Sequence, residues 1–162
     1  MELFRAGMDK LEKRVCPGKG WFQMEQQTVW ERVNREPVIP REPLRGWLLD
    51  SLETEAWFRA QAAAVRGTER ETLCALADRE AQNGGCLRGM LLSAGLTPPR
   101  RTAGPARFSL PDMLTRCRRA YRNYAGMTPD PEFGMVFVFM AERQAAQTEG
   151  LLHLLSKGFT AR

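Results

Sequence analysis

The chain has 162 residues and a formal net charge of +5, and this length suits one domain with a buried core. No run approaches the roughly 18–20 uncharged apolar residues of a bilayer span, so we expect neither a membrane helix nor a membrane partner. The first residues, Met-Glu-Leu-Phe-Arg, form no apolar run, so we expect no secretory signal and a cytoplasmic location.

The spacing of the four cysteines does not indicate a fold held together by disulfides or by a metal ion. They occur at irregular spacing and form no C-x-x-C pair, so neither a zinc site nor a set of disulfides is predicted. We expect reduced and mostly buried thiols at all four positions, Cys16, Cys74, Cys86 and Cys117.

Residues 1–43 are predicted to form an N-terminal helical extension with a proline-rich connector. Two short amphipathic stretches flank a break at residues 16–20, and three prolines between 37 and 43 make the connector extended. Because the extension carries Trp21 and Trp30, we expect it to pack on the main body, residues 44–162.

The main body shows four helical patterns, in which apolar residues recur at steps of three and four. We predict helices over about residues 44–66, 69–94, 111 onward and 131–158. The first and last connections are short, whereas the segment from Gly95 to Pro111 can run the length of a bundle. This predicts an all-α antiparallel four-helix bundle with a long crossover between helices 2 and 3, the connectivity of ferritin-like bundles.

Local signals mark the ends of these helices. Gly67 is expected to end the first helix, and Thr68 is expected to cap the second in a capping box. Ser109 is predicted to cap the third helix, which has a proline in its first turn. Gly84 and Gly85 interrupt the second helix, but its apolar pattern resumes in phase. We therefore expect that helix to continue, with a neighbouring helix close to the two glycines.

Two stretches of this pattern are near-repeats of each other. Residues 76–87 and 140–151 share Ala, Arg, Ala and Leu at equivalent places. In each stretch, two polar residues stand three positions apart, a spacing at which Glu-x-x-His would present two metal ligands on one helix face. The residues found there are Glu80 and Asn83 in the first stretch and Gln144 and Gln147 in the second.

Over residues 44–158 the chain resembles the ferritin-like superfamily, in particular its rubrerythrin-like bacterial members. The resemblance lies in the doubled Ala-x-x-Glu-x-x-His-x-x-x-Leu frame and in the aromatic-Arg pairs Phe58-Arg59 and Tyr121-Arg122. Such proteins bind two iron or manganese ions through six residues. The matching positions here are Ser51, Glu80, Asn83, either Leu114 or Cys117, Gln144 and Gln147.

Among these positions only Glu80 keeps the residue type of a ligand. Glu53 or Glu55 could replace Ser51 if the first helix is shifted, and Glu55 is the better candidate because it lies on the same helical stripe as Ser51. The single histidine, His153, lies off the face of Gln147. The resemblance therefore implies a family member that has lost its di-metal site.

The substituted positions predict a hydrogen-bonded polar core, because their side chains offer both donors and acceptors. A buried ionised Glu80 needs partners, for which Tyr121 and Tyr124 are candidates, or else a raised pKa. The resemblance then implies a non-catalytic binding, scaffold or assembly module without a cofactor. Its expected partner is a second copy of the chain or another protein.

Two alternatives stay open. One is a rubrerythrin-like oxidoreductase or peroxidase that holds di-iron or manganese with an altered ligand set. The other is a nucleic-acid-associated bundle, because basic side chains can bind polyanions and the third helix is rich in arginine. No known nucleic-acid reading motif accompanies these arginines, so nucleic acid is not the expected partner. The arginines are Arg116, Arg118, Arg119 and Arg122.

Overall fold

The computed structural model of the protein describes residues 42–100 and 107–162. These residues form four α-helices and no strand, which confirms the predicted all-α class with four helices. The helices are α1, Glu42–Ala64; α2, Gly67–Ser93; α3, Leu110–Ala125; and α4, Gly134–Ser156. None of these four is long and apolar enough to cross a membrane.

The predicted N-terminal extension lies outside the described residues, except for its last two positions. There α1 begins at Glu42 and takes in Pro43, two residues before the predicted start of the first helix. Proline is tolerated in a first turn because the N–H groups there have no acceptor within the helix. Glu42 also places a negative charge at the positive end of the helix dipole.

The prediction for the junction between α1 and α2 is wrong. Gly67 does not end α1 but begins α2, with a left-handed φ of +66° that only glycine adopts easily. Arg66 occupies the cap position and makes no side-chain cap hydrogen bond. Thr68 already lies inside α2, where its carbonyl accepts a hydrogen bond from the Thr72 hydroxyl at 2.9 Å.

The predicted cap of α3 is confirmed. The Ser109 hydroxyl accepts the backbone N–H of Asp112 at 3.2 Å, and the Asp112 carboxylate accepts the backbone N–H of Ser109 at 3.3 Å. This reciprocal pair is a capping box that satisfies two N–H groups without intrahelical acceptors.

α4 begins three residues later than predicted, because Asp130 first organises a turn. Its Oδ1 accepts the N–H groups of Glu132 and Phe133 at 2.9 and 2.7 Å, and its carbonyl accepts the N–H of Gly134 at 2.9 Å. A Cβ atom at Gly134 would collide with the carbonyl oxygen of Thr128. The helix therefore starts at a glycine, because a side chain at this position would not fit against the turn.

The continuity of α2 through Gly84 and Gly85 is confirmed. A Cβ on Gly84 would lie 3.3 Å from the Ser51 hydroxyl oxygen of α1, which is a tight contact. A Cβ on Gly85 would meet nothing within 4 Å. A close neighbouring helix thus explains the first glycine and not the second.

Two apolar clusters fill the interior. The first cluster includes Trp57, Phe58, Leu73, Leu76, Met113 and Leu151. The second cluster includes Leu44, Leu48, Leu87, Leu91, Tyr124 and Phe137. Along α1, α2 and α4, the buried polar residues other than Gln61 fall between the positions that belong to the two clusters. The helices therefore place a polar layer between two apolar regions.

The two ends of the long connection between α2 and α3 lie in different apolar clusters. α1 packs against α2, α3 against α4, and α2 against α4. The last buried residues of α2, Met90 and Leu91, belong to the second cluster. The first buried residues of α3, Leu110 and Met113, belong to the first cluster. The chain therefore leaves α2 in one cluster and enters α3 in the other.

Candidate functional site

The polar layer brings together most of the residues that the sequence singled out. Six of the predicted positions are buried, with at most 3% of each residue exposed: Ser51, Glu80, Asn83, Cys117, Gln144 and Gln147. α1 supplies the serine, α2 the glutamate and asparagine, α3 the cysteine, and α4 the two glutamines. The predicted alternative Leu114 is only partly buried and packs against the first apolar cluster.

Glu80 is the centre of this layer. Its Oε2 accepts the side-chain amide of Gln144 at 3.0 Å and that of Gln147 at 3.2 Å. The Gln147 amide also donates to the Leu76 carbonyl at 2.7 Å, and the Ser51 hydroxyl donates to the Glu80 carbonyl at 3.1 Å. The two glutamines thus act as hydrogen-bond donors toward the carboxylate.

The environment of Glu80 contains opposing effects. Burial raises the pKa of Glu80 above its ordinary value, because a low-dielectric interior disfavours the ionised form. Hydrogen bonds from Gln144 and Gln147 and the charge of Arg116 lower this pKa without cancelling the effect of burial. The site therefore holds a proton more tightly than an exposed glutamate does.

Asn83 joins α2 to α4 rather than joining the carboxylate. Its amide donates to the Met140 carbonyl at 3.3 Å, and its Oδ1 accepts from the Arg143 guanidinium at 3.2 Å. The same guanidinium lies 3.8 Å from the Cys86 sulfur. Asn83 therefore tethers α2 to α4.

Arg116 is the functional residue that sequence reasoning missed. Its guanidinium bonds Glu53 at 3.0 Å and Asp50 at 3.4 Å, and it lies over the Phe108 ring at 4.3 Å from the centroid. Arg119 adds a longer contact of 3.8 Å to Asp50. The sequence signal was two acidic residues three apart on α1 and two arginines three apart on α3.

A small pocket opens beside this ion-pair cluster. It has a cavity volume of about 20 Å³, room for roughly one water molecule, and its lining includes Glu80, Arg116, Cys117 and Gln144. Arg116 Nε and Gln144 Oε1 are buried and have no hydrogen-bond partner among the described residues. The carboxylate is thus reached between α1 and α3 by a narrow polar opening.

The remaining predicted residues divide between the core and the surface. Glu55 pairs along its own helix, where its Oε1 accepts from Arg59 Nε at 2.9 Å, one turn along α1. Tyr121 is 42% exposed, so it is not the predicted donor to Glu80. Tyr124 is buried, lines the pocket and contacts Trp47 edge to face.

Cys117 and Tyr124 are poor acid-base or nucleophilic groups. Burial is the main cause that raises the pKa of each well above its ordinary value, and the charge of Glu80 adds to it. Both side chains therefore stay protonated at neutral pH. A protonated buried thiol is inert as a nucleophile.

The donor set does not fit a two-metal centre. Residues 42–100 and 107–162 contain no group of three or more His, Cys, Asp or Glu side chains that could hold a metal ion. The amides nearest Glu80 present N–H groups to its carboxylate, and a cation would have to displace them. Arg116 adds a positive charge close to the same carboxylate. The arrangement instead stabilises a lone buried acid by hydrogen bonding.

Comparison with protein-family models, with curated proteins and with solved structures gives no match. The site is therefore interpreted from its own residues.

Proposed function

We propose that this protein is a non-catalytic binding or scaffold module, built on a ferritin-like four-helix bundle whose di-metal site has become a polar core. The observation that carries the proposal is the pair of amide hydrogen bonds to Glu80 from Gln144 and Gln147. In the ferritin-like frame, these two glutamines stand where a Glu-x-x-His pair would bind metal.

The contacts between α2 and α4 support this topology. Leu76, early in α2, meets Gln147, whereas Asn83, later in α2, meets Met140. Later positions of one helix thus pair with earlier positions of the other, as antiparallel helices do.

The contacts between α1 and α3 follow the same rule. Asp50 meets Arg116, and Trp57, further along α1, donates to the carbonyl of Phe108 at 3.1 Å. α2 ends in one apolar cluster and α3 begins in the other, as a long crossover requires. Antiparallel pairs joined by one crossover are the ferritin-like arrangement.

The electrostatics of the core favour an amide-lined centre over a metal. A di-metal site needs several carboxylates to neutralise two dications, and Glu80 is the only carboxylate among the six matching positions. Glutamine amides donate hydrogen bonds to an ionised carboxylate and add no charge. The alternative of an oxidoreductase with altered ligands lacks both an imidazole at these positions and a thiolate at Cys117.

A contact with a protein, or with a second copy of this chain, is part of the proposal. Met135 and Phe139 stand one turn apart on α4 and are 69% and 53% exposed. Large exposed apolar side chains of this kind mark contact surfaces when they are grouped.

Elemental analysis of protein expressed with iron and manganese supplied tests the proposal. We expect far less than one metal ion per chain and no absorbance band from a bound transition metal. A matched control carries the substitutions Asn83→His, Gln144→Glu and Gln147→His, which complete both Glu-x-x-His pairs. Two stoichiometric ions in the unsubstituted protein would overturn the proposal.

A further inference from the structure

A groove separate from the Glu80 pocket lies between α3 and α4. Its volume is about 410 Å³, within the range of about 300–1,000 Å³ that is usual for small-molecule sites. We call it the α3–α4 groove and define it by its lining residues Arg118, Tyr121, Arg122, Ala145, Thr148 and Glu149. It shares no residue with the lining of the Glu80 pocket.

The arginines of α3 divide between its two flanks. Arg116 and Arg119 pair with acidic residues of α1. The side chains of Arg118 and Arg122 make no hydrogen bond or ion pair with any residue in the described ranges, and both residues are exposed. Positions four apart on a helix are neighbours, so both guanidinium groups can reach one ligand group. The first flank holds the protein together, and the second is available to an external anion.

Tyr121 adds an aromatic ring to the groove that the two available arginines line. Its 42% exposure leaves part of the ring open, and Ala145 contributes an apolar surface across the groove. The Thr148 hydroxyl already donates to the Gln144 carbonyl at 3.2 Å. A flat ring can stack on such a surface, since aromatic side chains bind bases by stacking without base-specific hydrogen bonds.

The charged side chains of the groove indicate which ligand charge it prefers. The groove holds two guanidinium groups against one carboxylate, Glu149, so it favours an anion. A phosphate monoester carries about −1.5 to −2 charges at pH 7 and three acceptor oxygens, which matches two guanidinium groups better than a single carboxylate does. Arginine is suited to this role because its planar donor fork meets phosphate in a bidentate manner.

We propose that the α3–α4 groove binds a small aromatic phosphate of the nucleoside monophosphate class. The phosphate lies against Arg118 and Arg122, and the ring stacks on Tyr121. This site goes beyond the proposed loss of the metal centre and does not depend on it, because it uses other residues. Metal content and ligand binding are separate measurements on one sample, so failure of either proposal is recognisable by itself.

AMP titrated into the full chain at low salt, followed by calorimetry and by chemical-shift changes, tests the groove. We expect AMP to bind at least about tenfold more tightly than inorganic phosphate or adenosine alone, because only AMP engages both halves of the site. Arg118→Ala should weaken AMP binding by at least about tenfold, the size expected for a lost charge-assisted hydrogen bond. Arg119→Ala removes the same charge from the other flank and should leave binding unchanged.

Further variants separate stacking from charge. Tyr121→Ala should weaken binding and Tyr121→Phe should retain it, because the ring and not the hydroxyl is used. Glu149→Gln should strengthen binding, because it removes the only negative charge of the groove. Melting curves on each variant establish that it is folded.

Three results would overturn this inference. The first is no binding at about 5 mM AMP, a concentration that would populate even a millimolar complex. The second is equal loss in Arg118→Ala and Arg119→Ala, which indicates only a general charge effect. The third is binding of a single-stranded oligonucleotide without binding of AMP, which indicates a nucleic-acid surface instead.

Discussion

The side-chain amide of Gln144 lies 3.0 Å from Oε2 of Glu80 and donates a hydrogen bond to it, although both residues are buried. A second amide, from Gln147, reaches the same oxygen at 3.2 Å. Because neither glutamine carries a charge, the carboxylate is stabilised by dipoles and by the charge of Arg116. This relationship makes the stability of the fold dependent on the protonation of one residue.

Replacement Glu80→Gln should make stability less dependent on pH. The folded-state pKa of Glu80 is raised above its ordinary value of 4.5, so protonation favours the folded state. The favourable contribution is complete below the unfolded-state pKa and is lost as pH rises through the folded-state pKa. Relative to the natural chain, the variant should therefore gain melting temperature as pH rises from 4 to 8. A difference that stays constant or shrinks over this range would contradict the assignment.

Gln144→Leu should destabilise the protein by about 1.5–3 kcal/mol at pH 8, the usual contribution of a hydrogen bond to a charged group. The loss should be smaller at pH 4, where Glu80 is closer to neutral in both states. Urea unfolding at the two pH values measures the difference. Thr72→Ala is the control, because that hydroxyl is exposed on α2, and its effect should stay within about 0.5 kcal/mol. Equal losses in both variants would count against a special role for the amide.

Arg116→Ala should cost about 1 kcal/mol of stability. Its side chain is only 15% exposed, it bonds two carboxylates of α1, and it contacts the Phe108 ring. Arg119→Ala should cost less than about 0.5 kcal/mol, because its side chain is half exposed and its contact is longer. Thermal melts of the two variants give the comparison, and the prediction fails if Arg119→Ala is the more damaging.

Alanine should affect stability differently at the two adjacent glycines of α2. Gly85→Ala meets no atom within 4 Å and should stabilise the helix by about 0.5–1 kcal/mol. Gly84→Ala places its Cβ 3.3 Å from the Ser51 hydroxyl oxygen, so that gain should be reduced or reversed. Chemical unfolding of both variants measures this. A stabilising Gly84→Ala as large as Gly85→Ala would mean that α1 and α2 lie further apart.

Sequence reasoning predicted the features that depend on local patterns. The three- and four-residue apolar spacing gave the four helices, and Ser109 followed by a proline gave the cap of α3. The same periodicity placed Glu80, Gln144 and Gln147 on inward faces, because a polar residue inside an apolar stripe is buried with it. The cap at Thr68 failed because the left-handed Gly67 starts α2 first.

Features that depend on distant residues could not be predicted in this way. In the sequence, Arg116 is only one of several arginines of the third helix, and its partners stand more than sixty positions earlier in the chain. Glu55 shares a helical stripe with Ser51, but its carboxylate forms an ion pair with Arg59, one turn along the same helix. The turn at Asp130 was not predicted, because helical periodicity contains no information about the geometry of a turn.

The most direct test of the central claim is calorimetric melting of metal-stripped protein with and without added Mn²⁺ or Fe²⁺. An ion that binds the folded state and is present at about 100 times its Kd stabilises by about 2.7 kcal/mol, which is several degrees in Tm. Since the residues around Glu80 donate hydrogen bonds where a metal would bind, we predict no rise in Tm. A rise that saturates at two ions per chain and disappears in Glu80→Gln would contradict the account.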